Sequence, residues 1–216
     1  MKKLLAILCS VSLMTSAAFA EIGVGITANF SSIDTEGSNT ELTGDEEKDS
    51  TSVSEDVEIV EVFVESITDT GLAIGLSYIP TRALGAKTRT DSSTGADVAS
   101  EADTGDYVGK AELDNLIMVY ADIPVGPIYG KVGFQHAEIA TLESLNSGST
   151  YADIKVNGLM VGVGYKNDLG VGNLYYKGEV TYTNFEDIVK DNSNNSERIN
   201  ADIDVTSLKV SLGMKF

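Results

Sequence analysis

Residues 208–216 read Leu-Lys-Val-Ser-Leu-Gly-Met-Lys-Phe and give the clearest indication of the fold. Large apolar side chains occupy every second position, whereas lysine, serine and glycine fill the positions between them. Because a β-strand directs successive side chains to opposite faces, this stretch predicts a strand with one apolar face and one polar face. The apolar row consists of Leu208, Val210, Leu212, Met214 and Phe216.

This terminal stretch resembles the C-terminal strand of bacterial outer-membrane β-barrels. In those proteins the barrel-assembly machinery reads alternating apolar residues, a small residue near the end and a terminal phenylalanine as an insertion signal. Met214 departs from the aromatic residue that is often found two residues before the end. The resemblance implies that the apolar row is an assembly signal and that the assembly machinery is a partner of the chain during insertion.

The first twenty residues have the layout of a secretory signal peptide. A basic start is followed by an apolar run over residues 4–14 and by the small-x-small sequence Ala-Phe-Ala at residues 18–20. This segment is too short to be a stable membrane span, so we expect cleavage before Glu21. The only cysteine, Cys9, lies within it, and no disulfide is therefore expected in the mature protein. The predicted mature chain is one domain, residues 21–216.

Charge and hydropathy argue against nucleic-acid binding and against helical membrane spans. The formal net charge is −18, and removing the two lysines of the signal peptide makes the mature chain more acidic still. Such a charge argues against nucleic acid as a partner, because phosphate contacts need lysine and arginine. After residue 20 no run of 18 apolar residues exists, so helical membrane spans are not predicted. Barrel strands alternate apolar and polar residues and escape hydropathy windows.

Eight segments after residue 20 alternate in this way, and the connections between them are long and short in turn. Outer-membrane barrels have an even number of strands, short periplasmic turns and long outer loops. The pattern therefore predicts an all-β fold, an eight-stranded antiparallel up-and-down transmembrane β-barrel with both mature termini in the periplasm. The predicted strands are residues 21–30, 57–66, 72–78, 107–122, 128–137, 154–166, 174–184 and 201–216. The predicted long loops are residues 31–56, 81–106, 138–153 and 185–200.

The strand at residues 107–122 breaks the alternation. If Leu116, Met118 and Tyr120 face lipid, then Asp114 does too, and a carboxylate in that environment is costly. The opposite phase places Asn115 with the apolar residues instead. An extra residue in one strand shifts the phase of alternation, so we predict a β-bulge near Asn115.

Aromatic residues fall near both ends of the predicted strands, as in proteins with aromatic belts at the two membrane interfaces. The alternative is that tyrosine simply favours strands. The predicted periplasmic belt contains Tyr120, Tyr129, Tyr165, Tyr175, Tyr176 and Phe216. The predicted outer belt contains Phe30, Tyr78, Tyr107, Tyr182 and Phe185.

A secreted β-sandwich or lipocalin-like barrel would also alternate, with a richly charged outer face. Here the faces opposite the large residues are mostly glycine, alanine, serine and threonine, which suits the narrow interior of an eight-stranded barrel. A few charged residues share those faces, and enclosed charges must pair or stay hydrated. We therefore predict a polar plug that fills the lumen, with an ion-selective pore as the alternative. The predicted lumen charges are Glu61, Glu65, Lys131, Lys177, Glu179, Lys209 and Lys215.

The predicted loops hold most of the acidic residues. Carboxylates there could bind divalent cations or bridge them to the surrounding glycolipid. The alternative is a solvated loop whose charge resists aggregation. The acidic residues around the first predicted loop are Asp34, Glu36, Glu41, Asp45, Glu46, Glu47, Asp49, Glu55 and Asp56.

Taken together, residues 21–216 resemble small outer-membrane barrels of the OmpA/OmpX type. The resemblance implies a structural or surface-interaction protein in contact with outer-membrane lipid and glycolipid. A narrow porin-like diffusion channel is the rival function. Enzyme activity would need a general base, and the only histidine, His136, has Glu138 two residues away. No particular serine accompanies that pair, so we expect neither an enzyme nor a cofactor.

Deletion of Phe216 tests the assembly signal. We expect the truncated protein to insert poorly into the outer membrane, because the apolar row would lose its terminal aromatic residue. The measurement is the amount of folded protein in the membrane fraction. Unchanged insertion of the truncated chain would contradict a role of Phe216 as a signal.

Overall fold

The computed structural model describes residues 21–41, 47–91, 105–141, 153–191 and 197–216. The predicted signal peptide, residues 1–20, lies outside the described residues. In the described part no helix has the length and hydropathy that a membrane crossing needs. The strands are β1 (Glu21–Glu41), β2 (Glu47–Ile67), β3 (Ala73–Ile79), β4 (Arg82–Asp91), β5 (Gly105–Val125), β6 (Ile128–Thr141), β7 (Ile154–Asp168), β8 (Leu174–Phe185), β9 (Ile188–Asp191) and β10 (Glu197–Lys215).

The strands form one antiparallel sheet that closes on itself. The strands follow one another around the barrel in chain order, and β1 pairs with both β2 and β10. Strands β3 and β4 both pair with β5, and β8 and β9 both pair with β10. The ten strands therefore occupy eight positions around the barrel. Closure leaves no sheet edge in the lipid, where unpaired backbone groups are costly. The predicted eight-stranded antiparallel barrel is confirmed.

Three short turns lie at one end of the barrel. Glycine occupies each of them in a left-handed backbone conformation, with φ values of 86° at Gly71, 65° at Gly126 and 71° at Gly170. A residue with a side chain is strained at such φ values, which explains glycine at these positions. The turn between β5 and β6 is only two residues long, Gly126 and Pro127.

The prediction of four long irregular loops is wrong for most of their described residues. Backbone pairing between β1 and β2 continues to Asn39 and Asp49, and β4 pairs with β5 from Arg82 to Asp91. Strand β6 continues to Thr141, and β9 pairs with β10. The prediction failed because serine, threonine and acidic residues dominate these stretches and obscure a sparse row of apolar residues on one face.

That apolar row shows that the barrel reverses its polarity along its length. In the half near the short turns, the outward residues are apolar and exposed, as at Ile26 (57 %) and Leu159 (69 %), while Thr27 is buried inside. In the other half the buried, inward residues are apolar, as at Ile59 and Val156. Its outward residues include Asp34 and other acids. We call the first half the membrane segment and the second the outer segment.

The strand β5 carries the predicted bulge. Asn115 has a φ of 60°, and the pairing with β6 shifts between Asp114 and Ile117. Both Leu113 and Leu116 are buried as a result, although their spacing would place them on opposite faces of a regular strand. The prediction of a bulge near Asn115 is confirmed, and Leu116, Met118 and Tyr120 point into the barrel.

Because the polarity reverses along the barrel, the loss of stability caused by an outward lysine should depend on its position along the barrel axis. Val161 lies within the exposed apolar row of β7, and we expect Val161→Lys to destabilise the folded barrel by about 2–4 kcal/mol. Ser52 is outward and exposed in the outer segment, and Ser52→Lys should change the stability by no more than about 0.5 kcal/mol. Urea unfolding in lipid vesicles measures both values. Equal costs at the two positions would contradict the assignment of the segments.

Candidate functional site

The interior of the membrane segment contains a connected chain of six charged side chains that alternate in sign. They come from β2, β5, β6, β7 and β8, whose inward faces carry them across the lumen. Lys131 and Lys177, the two lysines inside the chain, contact two carboxylates each. From one end, the contacts are Lys166 Nζ to Glu65 Oε1 at 3.2 Å, Lys177 Nζ to Glu65 Oε2 at 2.8 Å, Lys177 Nζ to Asp122 Oδ2 at 3.3 Å, Lys131 Nζ to Asp122 Oδ1 at 3.1 Å and Lys131 Nζ to Glu179 Oε1 at 2.6 Å. We call these six residues the ion-pair chain.

A separate ion pair lies nearer the outer segment. Lys209 Nζ is 2.7 Å from Glu61 Oε1. The same carboxylate accepts hydrogen bonds from Asn29 Nδ2 at 2.7 Å and from Ser77 Oγ at 2.9 Å. The neighbouring lumen is closed by hydroxyl pairs such as Thr27 with Ser211, whose oxygens are 2.8 Å apart.

Three tyrosines carry hydroxyl groups to the carboxylates of the ion-pair chain. Tyr120 and Tyr175 donate to the two oxygens of Glu65, each at 2.8 Å. Tyr129 donates to Glu179 at 2.7 Å. Their placement in the predicted aromatic belts is wrong, because each ring is buried inside the barrel. The belt prediction considered distance along the strand and ignored the phase of alternation.

Glycines on the inner faces make room for these rings. A Cβ atom at Gly75 would come within 2.2 Å of the Tyr120 ring, and one at Gly164 would come within 2.4 Å of the Tyr129 ring. At Gly213 the same atom would come within 2.4 Å of Tyr175. The small residues of the inner faces therefore fill the lumen indirectly, by admitting large rings from neighbouring strands.

The described lumen is electrically balanced. Four carboxylates face four ammonium groups, and all but Lys166 are nearly inaccessible to solvent. Burying an unpaired charge is very costly, so each member of this set depends on its partners. The carboxylates are Glu61, Glu65, Asp122 and Glu179, and the ammonium groups are those of Lys131, Lys166, Lys177 and Lys209.

Six of the seven predicted lumen charges lie in this interior, and one does not. Lys215 lies at the turn end of the barrel, where its Nζ is 2.8 Å from Asp168 and 3.5 Å from Glu21. The expectation that Lys215 would face Glu61, Glu65 and Glu179 is therefore wrong. It is one residue from the end of the chain, so it reaches only the mouth.

Sequence reasoning missed Asp122, Lys166 and the three buried tyrosines as members of this site. The sequence does contain a signal for the tyrosines, because each of them stands two residues before a charged residue of the lumen. Tyr129 precedes Lys131, Tyr175 precedes Lys177 and Tyr120 precedes Asp122, so each tyrosine shares a strand face with a lumen charge.

The other predicted belt residues divide into three groups. Phe30, Tyr165, Tyr182 and Phe216 are outward and exposed, and Tyr78 and Tyr176 are half-buried on the outward face. Phe185 is buried in the interior, so its placement in the belt is wrong. The side chain of Tyr107 lies outside the described residues. The whole apolar row from Leu208 to Phe216 is outward and exposed.

Apolar side chains fill the barrel above the ion pairs. These side chains are nearly inaccessible to solvent, as in the core of a soluble protein. This layer closes the lumen a second time without using charge. It consists of Ile59, Ile79, Leu113, Leu116, Met118, Ala137, Val156, Met160, Phe185 and Ile188, and Tyr120 joins it to the ion-pair chain.

The outside of the outer segment is acidic. A hydrogen bond shared with Asp187, together with the nearby charges, raises the pKa of Asp202. Hydrogen bonds from Asn184 and Tyr182 lower the pKa of Asp204. Among the described residues no group of three or more histidine, cysteine or acidic side chains is placed to hold a metal ion. The predicted loop acids Asp45 and Glu46 lie outside that part of the chain.

His136 lies on the outward face at the border of the two segments. Its Nδ1 is 2.8 Å from Asn157 Oδ1, and Asn157 Nδ2 donates to Glu186 at 2.8 Å. Glu138 pairs with Lys155 at 2.8 Å. The predicted histidine and carboxylate are thus engaged with different partners.

The chain belongs to the family of outer membrane protein beta-barrel domains, whose model matches residues 4–216. This membership and the closed barrel place the protein in the outer membrane. No curated protein matches the chain in sequence.

Solved structures of outer-membrane barrels share the fold. The outer membrane protein OprG from Pseudomonas aeruginosa is similar with a TM-score of 0.52 and 13% identity, covering 92% of this chain and 97% of that chain. The outer membrane protease OmpT from Escherichia coli is similar with a TM-score of 0.52 and 12% identity, covering 94% of this chain and 100% of that chain. At such identities the likeness concerns the fold alone.

Removal of one internal lysine should destabilise the barrel more than removal of a complete pair. We expect Lys177→Met to cost about 3–5 kcal/mol, because Glu65 and Asp122 would keep buried charges with fewer partners. The control is the double variant Glu61→Gln with Lys209→Met, which removes both charges of a pair and should cost about 1 kcal/mol or less. Unfolding in urea measures the two values. A smaller loss for Lys177→Met than for the double variant would contradict the account.

Proposed function

We propose that the protein is a closed outer-membrane barrel with a structural or surface-interaction role. The observation that carries this proposal is the filled and balanced lumen. Buried ion pairs with their tyrosine rings fill one part of the lumen, and an apolar layer fills the next. Eight strands enclose a space about wide enough for side chains alone. A diffusion channel would need a continuous hydrated path past both parts.

The outer segment is the part that would meet partners. Its apolar core holds the strand extensions together, and its outward face is acidic. We propose that outer-membrane lipid surrounds the membrane segment and that glycolipid surrounds the border between the segments. Divalent cations would bridge the outward carboxylates to anionic glycolipid, since carboxylate and phosphate oxygens are ligands of hard cations.

The direction of insertion is part of the proposal. Short turns end the membrane segment, and long paired extensions continue beyond its other end. In outer-membrane barrels short turns face the periplasm and long connections face outward. Glu21 and Phe216 would then lie on the periplasmic side, as expected after cleavage of a signal peptide. The terminal apolar row would be presented to the assembly machinery from that side.

The rival functions have less support. The similarity to the protease OmpT concerns the fold alone. In the described residues no serine hydroxyl forms a hydrogen bond with His136. A catalytic role would be revived if turnover of lipid or peptide disappeared in His136→Ala.

Conductance in planar bilayers tests the closed lumen. We expect no stable openings of the folded protein. The triple variant Tyr120→Ala, Tyr129→Ala and Tyr175→Ala should conduct, because it replaces three rings of the plug with space that water can occupy. It serves as the control for successful insertion. Stable, reproducible openings of the unmodified protein would contradict the proposal and favour the channel.

A further inference from the structure

A cavity of about 470 Å³ opens at the turn end of the membrane segment. Its volume falls within the range of small-molecule sites, which is about 300–1,000 Å³. Its walls come from the end of β2 and the β2–β3 turn, from the last three residues of β7, and from Glu21 and Lys215. We call it the mouth cavity.

The mouth cavity meets the ion-pair chain at Lys166. Lys131 and Lys177 each contact two carboxylates and are almost completely buried. Lys166 contacts one carboxylate, that of Glu65 at 3.2 Å, its Nζ also lies 4.5 Å from the centre of the Tyr175 ring, and its side chain is 21% exposed. The alternating chain therefore ends on an ammonium group with one carboxylate partner and an accessible side. A carboxylate in the cavity would complete the pattern that the two internal lysines show.

The rest of the cavity wall favours a positive group. Lys215 is already paired with Asp168 and Glu21. Asp69 is exposed on the β2–β3 turn and has no ion-pair partner in the described part of the chain. The wall carries three carboxylates against the two ammonium groups of Lys166 and Lys215, so a simple anion is favoured less than a molecule that also brings positive charge. A molecule that carries a carboxylate and ammonium groups would complement both Lys166 and the acidic part of the wall.

We propose that the mouth cavity binds a basic amino acid or the carboxyl end of a basic peptide. The ligand carboxylate contacts Lys166, and its ammonium groups contact Asp69 and the exposed edge of Asp168. The threonine hydroxyl and amide groups of Thr68 and Asn167 line the space between them. This site is independent of the proposed surface role, because it lies at the opposite end of the barrel.

The test is an NMR titration of the folded protein in detergent micelles, observing the backbone amides of Gly71, Asn167 and Asp168. L-lysine should shift these signals in a saturable way. Acetate carries only the negative charge and 1,5-diaminopentane only the two positive charges, and each should bind at least about tenfold more weakly. Tighter binding of glycyl-L-lysine than of L-lysine would identify a peptide end as the ligand, and the reverse order would identify the free amino acid. Both orders support the site.

Two variants separate the site from a general attraction of charge. Lys166→Met should weaken L-lysine binding about tenfold, and Asp69→Asn, on an exposed turn, should weaken it without disturbing the fold. Glu58→Gln, exposed on β2 in the outer segment, is the matched control and should leave binding unchanged. Unshifted amides would overturn the proposal. Binding of 1,5-diaminopentane as tight as that of L-lysine would also overturn it, since the carboxylate would then play no part.

Discussion

The carboxylate of Glu65 is the point on which the membrane segment depends. It is completely buried and accepts hydrogen bonds from Tyr120, Tyr175, Lys177 and Lys166, which reach it from three other strands. A charge in such surroundings is tolerated only if its oxygens are fully engaged. The same contacts connect β2 to β5, β7 and β8 across the lumen. The neutralisation of one buried carboxylate thus connects four strands across the lumen.

The two segments solve the same packing problem in different solvents. In the membrane segment lipid covers the outward apolar residues, so the inside must be polar and internally paired. In the outer segment water covers the outward acids, so the inside becomes an apolar core. The alternation of side chains continues from one segment to the next along β1, β2 and β10, and only the chemistry of the two faces changes. The change of the surrounding solvent from lipid to water therefore explains why the polarity of the two faces reverses. The backbone does not have to change.

Sequence reasoning predicted the closed barrel because strand alternation, strand number and turn length follow directly from residue order. It predicted the bulge because Asp114 and Leu116 cannot both follow a regular alternation into the same environment. It failed for the strand extensions, since residues such as Ile33 and Val53 are too sparse to stand out among serine, threonine and acids. It also failed for Tyr120, Tyr129 and Tyr175. Their membership of the plug depends on glycines of neighbouring strands, and such contacts are set by register rather than by local sequence.

We expect the ion pairs to form a plug from which water is excluded. Solution NMR of the ammonium protons, with the protein in lipid nanodiscs, measures this exclusion, because these protons exchange with any water that reaches them. Slow exchange and observable signals are expected for Lys131, Lys177 and Lys209, and fast exchange for the exposed Lys155. Exchange at the three interior lysines as fast as at Lys155 would show a hydrated lumen and would overturn the closed plug.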